Sequence, residues 1–456
     1  MSEPKGRGGA WTEERGTSDE GRRRSEGGMG RRAGPRRRAG EHSELKAEVD
    51  AADVGFDPER LERLDRHFGR YVDDGRLPGW LIAVSRHGRL AHVSWCGLRD
   101  IEAGLPVEAG TLWRIYSMTK PITSVAAMML YEEGRFRLTD PVSAFIPSFG
   151  DVRVFAGGSD LRPVTVPAAE PVRIWHLLTH TAGLSYGFHR VHPVDAMYRA
   201  AGFEWASPPG VDLAQACDIW AGIPLLFQPG TEWNYSAATD VLGRVIEVVS
   251  GQSLDEFLAA RILRPLGMTD TSFYVSGDDT ARLAALYRPG EDAAPARLDS
   301  LGNAAHERPD MLSGGAGLIS TAADYHRFMQ MLLNRADSPA GELHGIRLLS
   351  PRTVGYMGRN HIPGDLDLET FGRPLYAEFP FRGVGFGLGF AVVIDPVRGK
   401  VVCSEGELSW GGAASTAFWI DPEEGLTVSF FTQLLPSSTY PIRPQLRQLV
   451  YQAMVG

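Results

Sequence analysis

Apolar side chains recur at helical spacing through residues 56–74, with Leu61, Leu64, His67 and Phe68 along one side, and this spacing predicts an amphipathic helix. Two apolar, β-prone runs follow at 80–85 and 89–95. The Arg86-His87-Gly88 stretch between them signals a hairpin. From 111 to about 300 the pattern becomes helical, at 122–133, 174–179, 213–221, 238–250 and 254–262, broken by Pro- and Gly-rich loops. Gly134 and Gly251 stand where glycines close helices. From about 312 a mixed pattern returns. Thr321 opens a capping box for a helix reaching about Asn334, and Ser350-Pro351 supplies N-cap and N1 of another. Residues 384–394 are Gly-rich and apolar. Residues 400–404, 409–420 and 426–432 read as three consecutive strands, the last two joined through 421–425. A helix at 444–454 closes the chain, with Leu446, Leu449, Val450 and Met454 on one side.

The two ends thus supply strands and flanking helices, and the middle supplies helices. The simplest packing is an α+β fold, one antiparallel sheet covered by terminal helices, with a helical domain inserted. Residues 51–110 and 301–456 are expected to form the sheet domain and 111–300 the helical one, with an active site between them. Residues 1–50 are expected to be a disordered Gly/Arg-rich tail. The first 40 hold almost no large apolar side chains and cannot bury enough surface to fold. That tail reads as a disordered extension or a misassigned start, with Met29 as the alternative start.

Composition narrows the function. The chain has 456 residues, 43% of them apolar, enough for a large core. The first 40 residues carry 11 Lys/Arg against 6 Asp/Glu, so the net charge of −9 rests on a body near −14. An acidic body argues against nucleic acid as its partner. No apolar stretch follows the arginines as in a signal peptide, and no window approaches ~18 apolar residues, so neither export nor a membrane span is expected. The expected location is the cytoplasm. Cys96, Cys217 and Cys403 are far apart and odd in number, and are expected to be buried, reduced thiols.

The chemistry centres on Ser117-Met118-Thr119-Lys120, just before the 122–133 helix. Residues i and i+3 share a helix face, so the Lys120 amine can reach the Ser117 hydroxyl. A serine needs such a base to become a nucleophile near neutral pH. The same four letters also arise from an N-cap serine beside a solvated lysine, so context must decide. Tyr235 lies in a loop just before the 238–250 helix, where it can point into a cleft and exchange protons near a lysine. Trp410-Gly411-Gly412-Ala413 falls within an expected strand. Paired glycines there mark a close approach of ligand or backbone, and a bare strand edge can offer an N–H to an oxyanion.

In order along the chain, these segments resemble the serine β-lactamase and penicillin-recognising superfamily, and more narrowly the class C β-lactamase-related esterases. Supporting stretches are residues 176–184, Phe227-Gln228-Pro229-Gly230, Gly314-Gly315-Ala316-Gly317-Leu318 and residues 385–390. The resemblance runs from about residue 55 to 456. It implies a β-lactamase/transpeptidase-like fold, with Ser117 as acylated nucleophile and Lys120 as its base, directly or through Tyr235. Tyr235 would protonate the leaving group, and the N–H groups of Ser117 and Ala413 would form the oxyanion hole. Two departures from the lactamase pattern bear on substrate. The strand carries Trp410-Gly411-Gly412 in place of Lys-Thr-Gly, and Tyr235-Ser236-Ala237 replaces Tyr-x-Asn. Both favour a small-molecule ester with an apolar acyl group over a β-lactam, with no cofactor and no metal. Trp205, Trp220, Trp233 and Phe227 are candidates for the acyl pocket, with helix-core packing the expected role for any one of them. A β-lactamase, a D-amino-acid amidase or peptidase, an acyltransferase, and a catalytically silent binding scaffold of the same superfamily are the alternatives.

Two further patterns compete. Gly183-Leu184-Ser185-Tyr186-Gly187 matches the G-x-S-x-G elbow, but that elbow needs a strand before it, and 174–179 reads as helix. His176, His180, His189 and His192 cluster within 17 residues. No H-E-x-x-H accompanies them, and capping or core roles are expected.

Overall fold

A computed structural model of the protein describes residues 45–455, apart from 292–293, 334–337 and 374–380. The arginine-rich stretch, Met29 and the expected helix end at Asn334 lie outside the described residues. Leu45, within the segment expected to be a tail, is buried, and the Glu48 N–H donates to the Leu90 carbonyl.

The main sheet has eight strands: β1 (Gly79–Arg86), β2 (Arg89–Asp100), β3 (Leu105–Pro106), β4 (Val384–Phe386), β5 (Ala391–Val393), β6 (Leu408–Gly411), β7 (Ala417–Asp421) and β8 (Leu426–Phe431). Their order is β4-β5-β6-β7-β8-β1-β2-β3, antiparallel throughout. The two ends of the chain therefore zip together at β8–β1, from Leu81 opposite Phe431 to Arg86 opposite Leu426. The β1–β2 hairpin turns on His87 and Gly88, both at positive φ (51° and 82°), which suits the twist of the flanking strands.

Every residue of β1 is buried, because helices cover both faces of the sheet. Alternate side chains go to opposite layers. Trp80, Ile82 and Val84 pack with Leu61, Leu64 and Phe68 of α1 (Pro58–Asp73) and with Leu446 and Val450 of the closing helix. Leu81 and Ala83 join the larger core of α2 (Thr119–Glu132), α3 (Ala238–Ser250) and α4 (Ala322–Leu332). The expected N-caps are in place: Thr321 accepts from the Asp324 N–H at the start of α4, and Ser350 accepts from the Thr353 N–H with Pro351 at N1. Asp57 caps α1 in the same way through the Arg60 N–H, with Pro58 at N1.

Several expectations need correction. Residues 400–404 are not a strand. A short helix (Pro396–Gly399) ends on Lys400 in the left-handed region, and the chain pairs again only at β6. The 409–420 run is not one strand but the β6–β7 hairpin, folded at 412–416. Ala413 and Ala414 carry the apolar pattern through the bend, while Gly412 and Ser415 (φ 67°) make it. Residues Arg153–Gly158 and Pro163–Pro167 form a hairpin inside the stretch expected to be helical. Only Cys217 is fully buried; Cys96 and Cys403 are half-buried, and all three are free thiols. No helix among the described residues is long and apolar enough to cross a membrane.

The closing helix, α5 (Ile442–Tyr451), is held to the sheet by charge as well as packing. Arg447 donates from Nε to Glu407 Oε1 at 3.0 Å, and Nη2 bonds the same oxygen. The Tyr451 hydroxyl lies 3.0 Å from Glu407 Oε2 and 2.6 Å from Asp421 Oδ2. Both carboxylates are wholly buried. Burial pushes the Glu407 carboxyl up, and Arg447 opposes that push. Arg447→Met would strand the Glu407 charge and should cost about 3–5 kcal/mol in a denaturant titration. Adding Glu407→Gln should recover most of the loss; a single variant as stable as the parent would contradict the ion pair's role.

Candidate active site

Ser117 is the middle residue of a 3₁₀ turn (Tyr116–Met118) that runs straight into α2. The chain reaches the turn from Trp113–Arg114, which pairs antiparallel with Ile319–Ser320. The Ile115 N–H donates to the Leu318 carbonyl at 3.1 Å, and the Leu318 N–H donates to Thr119 Oγ1 at 3.1 Å. Behind Ser117, Met118 is fully buried and its carbonyl accepts from the Tyr325 hydroxyl at 3.0 Å. Tyr116 has φ 44°, a region a tyrosine occupies only when its surroundings impose it. The turn is therefore held on both sides, and Ser117 is left half-buried on a cavity wall.

One helical turn on, Lys120 is 1% exposed. Its Nζ lies 3.3 Å from Ser117 Oγ, 3.1 Å from the Tyr186 hydroxyl and 2.9 Å from the Gly315 carbonyl oxygen. An ammonium has three N–H donors, and these three oxygens occupy all of them. Asp240 fixes the loop that presents Gly315. Its Oδ1 accepts from the Ser313 hydroxyl and, at 3.0 Å, from the Gly315 N–H. Burial raises the Asp240 carboxyl, and the nearby Lys120 charge works against that.

Tyr235 is brought to the same place. Lys120 Nζ sits 4.5 Å from the centre of its ring, and its hydroxyl accepts from the Trp410 indole N–H at 3.2 Å. Tyr186 was not singled out by its residue type or spacing; it entered only as part of the rival Gly-x-Ser-x-Gly pattern. Its ring meets Tyr235 edge-on at 5.4 Å. Burial, then Asp240, hold its phenol well above the ordinary value, so it serves Lys120 as a neutral acceptor. Ser185, the rival nucleophile, is wholly buried and donates to Asp195 Oδ1 at 2.6 Å. A helix, Ile174–Leu178, precedes it where the elbow needs a strand.

The four clustered histidines have separate tasks. His176 Nδ1 accepts from the Arg173 N–H, and His192 Nδ1 caps the Pro193–Ala200 helix through the Val194 N–H. His189 Nε2 donates to the Tyr235 carbonyl at 2.7 Å. His180 packs against the Tyr235 ring, and burial followed by Lys120 keeps its imidazole well below its ordinary value.

Trp410 lies on β6 opposite Phe418, and Gly411 ends that strand. Gly412 and Ala413 belong to the following turn, not to a strand interior. A side chain on Gly412 would put its Cβ 2.5 Å from the Ile115 carbonyl oxygen, so glycine lets the turn close onto the segment entering Ser117. A cavity of about 1000 Å³ opens over Ser117, Tyr235 and Trp410, at the upper end of ordinary ligand pockets. Phe188 stacks between Tyr186 (4.7 Å) and Trp205 (4.8 Å) on its wall. Trp205 and Trp220 line the cavity, Trp220 as a buried residue of the core behind it. Trp233 and Phe227 do not. Trp233 is buried behind Tyr235, its ring parallel at 6.3 Å, and Phe227 belongs to the core.

Comparison with known proteins places this geometry among relatives. A family model described as Beta-lactamase matches residues 64–452. Protein Rv1367c of Mycobacterium tuberculosis is 37% identical over 80% of this chain and 88% of its own length. Esterase EstB of Burkholderia gladioli is 31% identical over 89% of this chain and 99% of its own. Among solved structures, EstCE1, described as a hydrolase with promiscuous acyltransferase activity, superposes with a TM-score of 0.72 at 28% identity, covering 86% of this chain and 99% of its own. The β-lactamase/transpeptidase-like fold expected from the sequence is the fold observed.

The two hydroxyls next to one another in the loop should behave differently. Tyr186→Phe removes one hydrogen bond to a charged group and should lower kcat for a nitrophenyl ester about 10–100-fold. Ser185→Ala should leave most of the activity. Steady-state kinetics on the pair decide, and a loss with Ser185→Ala equal to that of Ser117→Ala would move the nucleophile.

Proposed function

We propose that this chain, which belongs to the beta-lactamase family and is a serine hydrolase, cleaves carboxylic esters through an acyl-enzyme on Ser117. The observation that carries the reading is the 3.3 Å approach of Lys120 Nζ to Ser117 Oγ, sealed from water on the lysine side and open to the cavity on the serine side. In its neutral form Lys120 takes the Ser117 proton as Oγ bonds to the ester carbonyl carbon. The carbonyl oxygen gains the negative charge and rests against the N–H groups of Ser117 and Ala413. Collapse expels the alcohol, which receives a proton from the Lys120–Tyr235 pair. Water then repeats the sequence and releases the acid. The start of α2 just after Ser117 adds the positive end of a helix dipole near that oxygen.

The substrate reading rests on the wall opposite the nucleophile. Trp410 presents an apolar face and commits its one N–H to Tyr235. Phe188 and Trp205 extend that apolar surface, which supports an apolar acyl group over a charged lactam. A second reading, acyl transfer to an alcohol, is favoured by the cavity's size. About 1000 Å³ leaves room for an acceptor beside the acyl chain, and the similar EstCE1 is described as having that side activity.

Intact-mass spectrometry across esters, amides and lactams tests both. The wild type should gain an acyl group on Ser117 from short-chain nitrophenyl esters, and turn these over far faster than nitrocefin. Ser117→Ala should show no adduct and lose roughly 10⁴–10⁶-fold in rate. Faster turnover of nitrocefin would refute the reading of Trp410.

A further inference from the structure

The β6–β7 turn is gripped from α5. Arg443, in the first turn of that helix, donates from Nη2 to the Gly412 carbonyl at 3.0 Å and to the Thr416 carbonyl at 3.1 Å. These two carbonyls form the neck of the turn. The Gly412 N–H donates to Thr416 O at 2.9 Å, and the Ser415 N–H donates to Gly412 O at 3.2 Å. The guanidinium fills the space a side chain on Gly411 would need, since a Cβ there would collide with it. A glycine at the end of β6 is thus the condition for Arg443 to reach the turn.

The Gly412 carbonyl and the Ala413 N–H belong to one peptide group. That group is planar and trans, so the two bonds point in opposite directions. Tying the carbonyl to Arg443 turns the Ala413 N–H away from the guanidinium. A cationic donor on the oxygen also polarises the whole amide and makes its N–H a stronger donor. The same end of β6 packs against the turn that carries Ser117.

We propose that Arg443 is a positioning residue for ester cleavage, setting the direction and donor strength of the Ala413 N–H at the oxyanion. It acts through the Gly412 and Thr416 carbonyls rather than on the reacting atoms, and the assignment rests on the acyl-enzyme reading above. The role predicts a loss confined to states that carry negative charge on the former carbonyl oxygen.

Arg443→Met keeps the length of the side chain and removes the cation. With a nitrophenyl butyrate it should lower kcat about 10–30-fold, a fraction of the ~10²–10³ lost with a direct oxyanion donor, and leave KM within about two-fold. A boronic acid that forms a tetrahedral anion on Ser117 should lose affinity by the same factor, while butyrate, the product acid, should bind as before. Arg443→Lys, which keeps a cation, should restore most of both losses. Unchanged kcat and boronate affinity in Arg443→Met would overturn the assignment, as would a loss shared equally by butyrate and boronate. If the methionine variant does not fold, Arg443→Gln, which also lacks the cation, takes its place and must show a loss of the same selectivity; wild-type kcat and boronate affinity in it would overturn the assignment. A fluorophosphonate separates the two levels. Failure to label Ser117 in the parent would sink the acyl-enzyme reading itself, whereas labelled Ser117 with an indifferent Arg443→Met sinks only this one.

Discussion

A buried lysine amine must be given three oxygens, and Lys120 takes them from three separate parts of the chain. One is the hydroxyl of Ser117 in its own helical turn, one the Tyr186 phenol, and one the Gly315 main-chain carbonyl. Leaving any of its donors unpaired at 1% exposure would cost several kcal/mol. The start of α2, the loop after Gly183 and the glycine-rich loop at 313–317 are therefore locked together through one nitrogen. Asp240 extends the lock on the buried side through Ser313 and the Gly315 N–H. What remains open is the serine side, where the substrate must come.

This arrangement divides the site into a polar interior and an apolar front. Behind Ser117 lie the buried Lys120 and Asp240, with the half-buried Tyr186 between them and the cavity. In front lie Phe188, Trp205 and Trp410 along the cavity. The charged machinery is screened from water, so its Coulombic effects are strong at short range.

Local patterns were legible in the sequence, and long-range partnerships were not. Ser117 and Lys120 sit at i and i+3 of one helix start, a relation that spacing alone reveals. The 238–250 helix appears with the expected bounds, because its apolar face and closing glycine are both local signals. Tyr186 carries no such signal. It is a loop tyrosine, and the lysine that gives it meaning lies 66 positions away in the chain. The 412–416 bend was read through because Ala413 and Ala414 extend the apolar run of the strands on either side. Ring size does not tell a cavity wall from the core behind it, so the sequence leaves Trp205, Trp220, Trp233 and Phe227 between the two, and Trp233 and Phe227 take the core role.

The last helix of the chain shows how far the site reaches beyond its own motif. Arg443 holds the tip of the β6–β7 hairpin, and Arg447 and Tyr451 hold its base through Glu407 and Asp421. β6 and β7 are already held in the sheet by β5 and β8, so the paths of the two strands are set there. The turn beyond their last pair has no neighbouring strand to hold it, and Arg443 fixes it from α5 on the side that packs against the turn of Ser117. The residue that orients the turn beside Ser117, at 443, and those that stabilise α5 on the sheet, at 447 and 451, follow one another along the same helix. Their spacing of four keeps them on one face. Packing of the terminal helix and geometry of the site are consequently one constraint, imposed by a segment that contains none of the catalytic side chains.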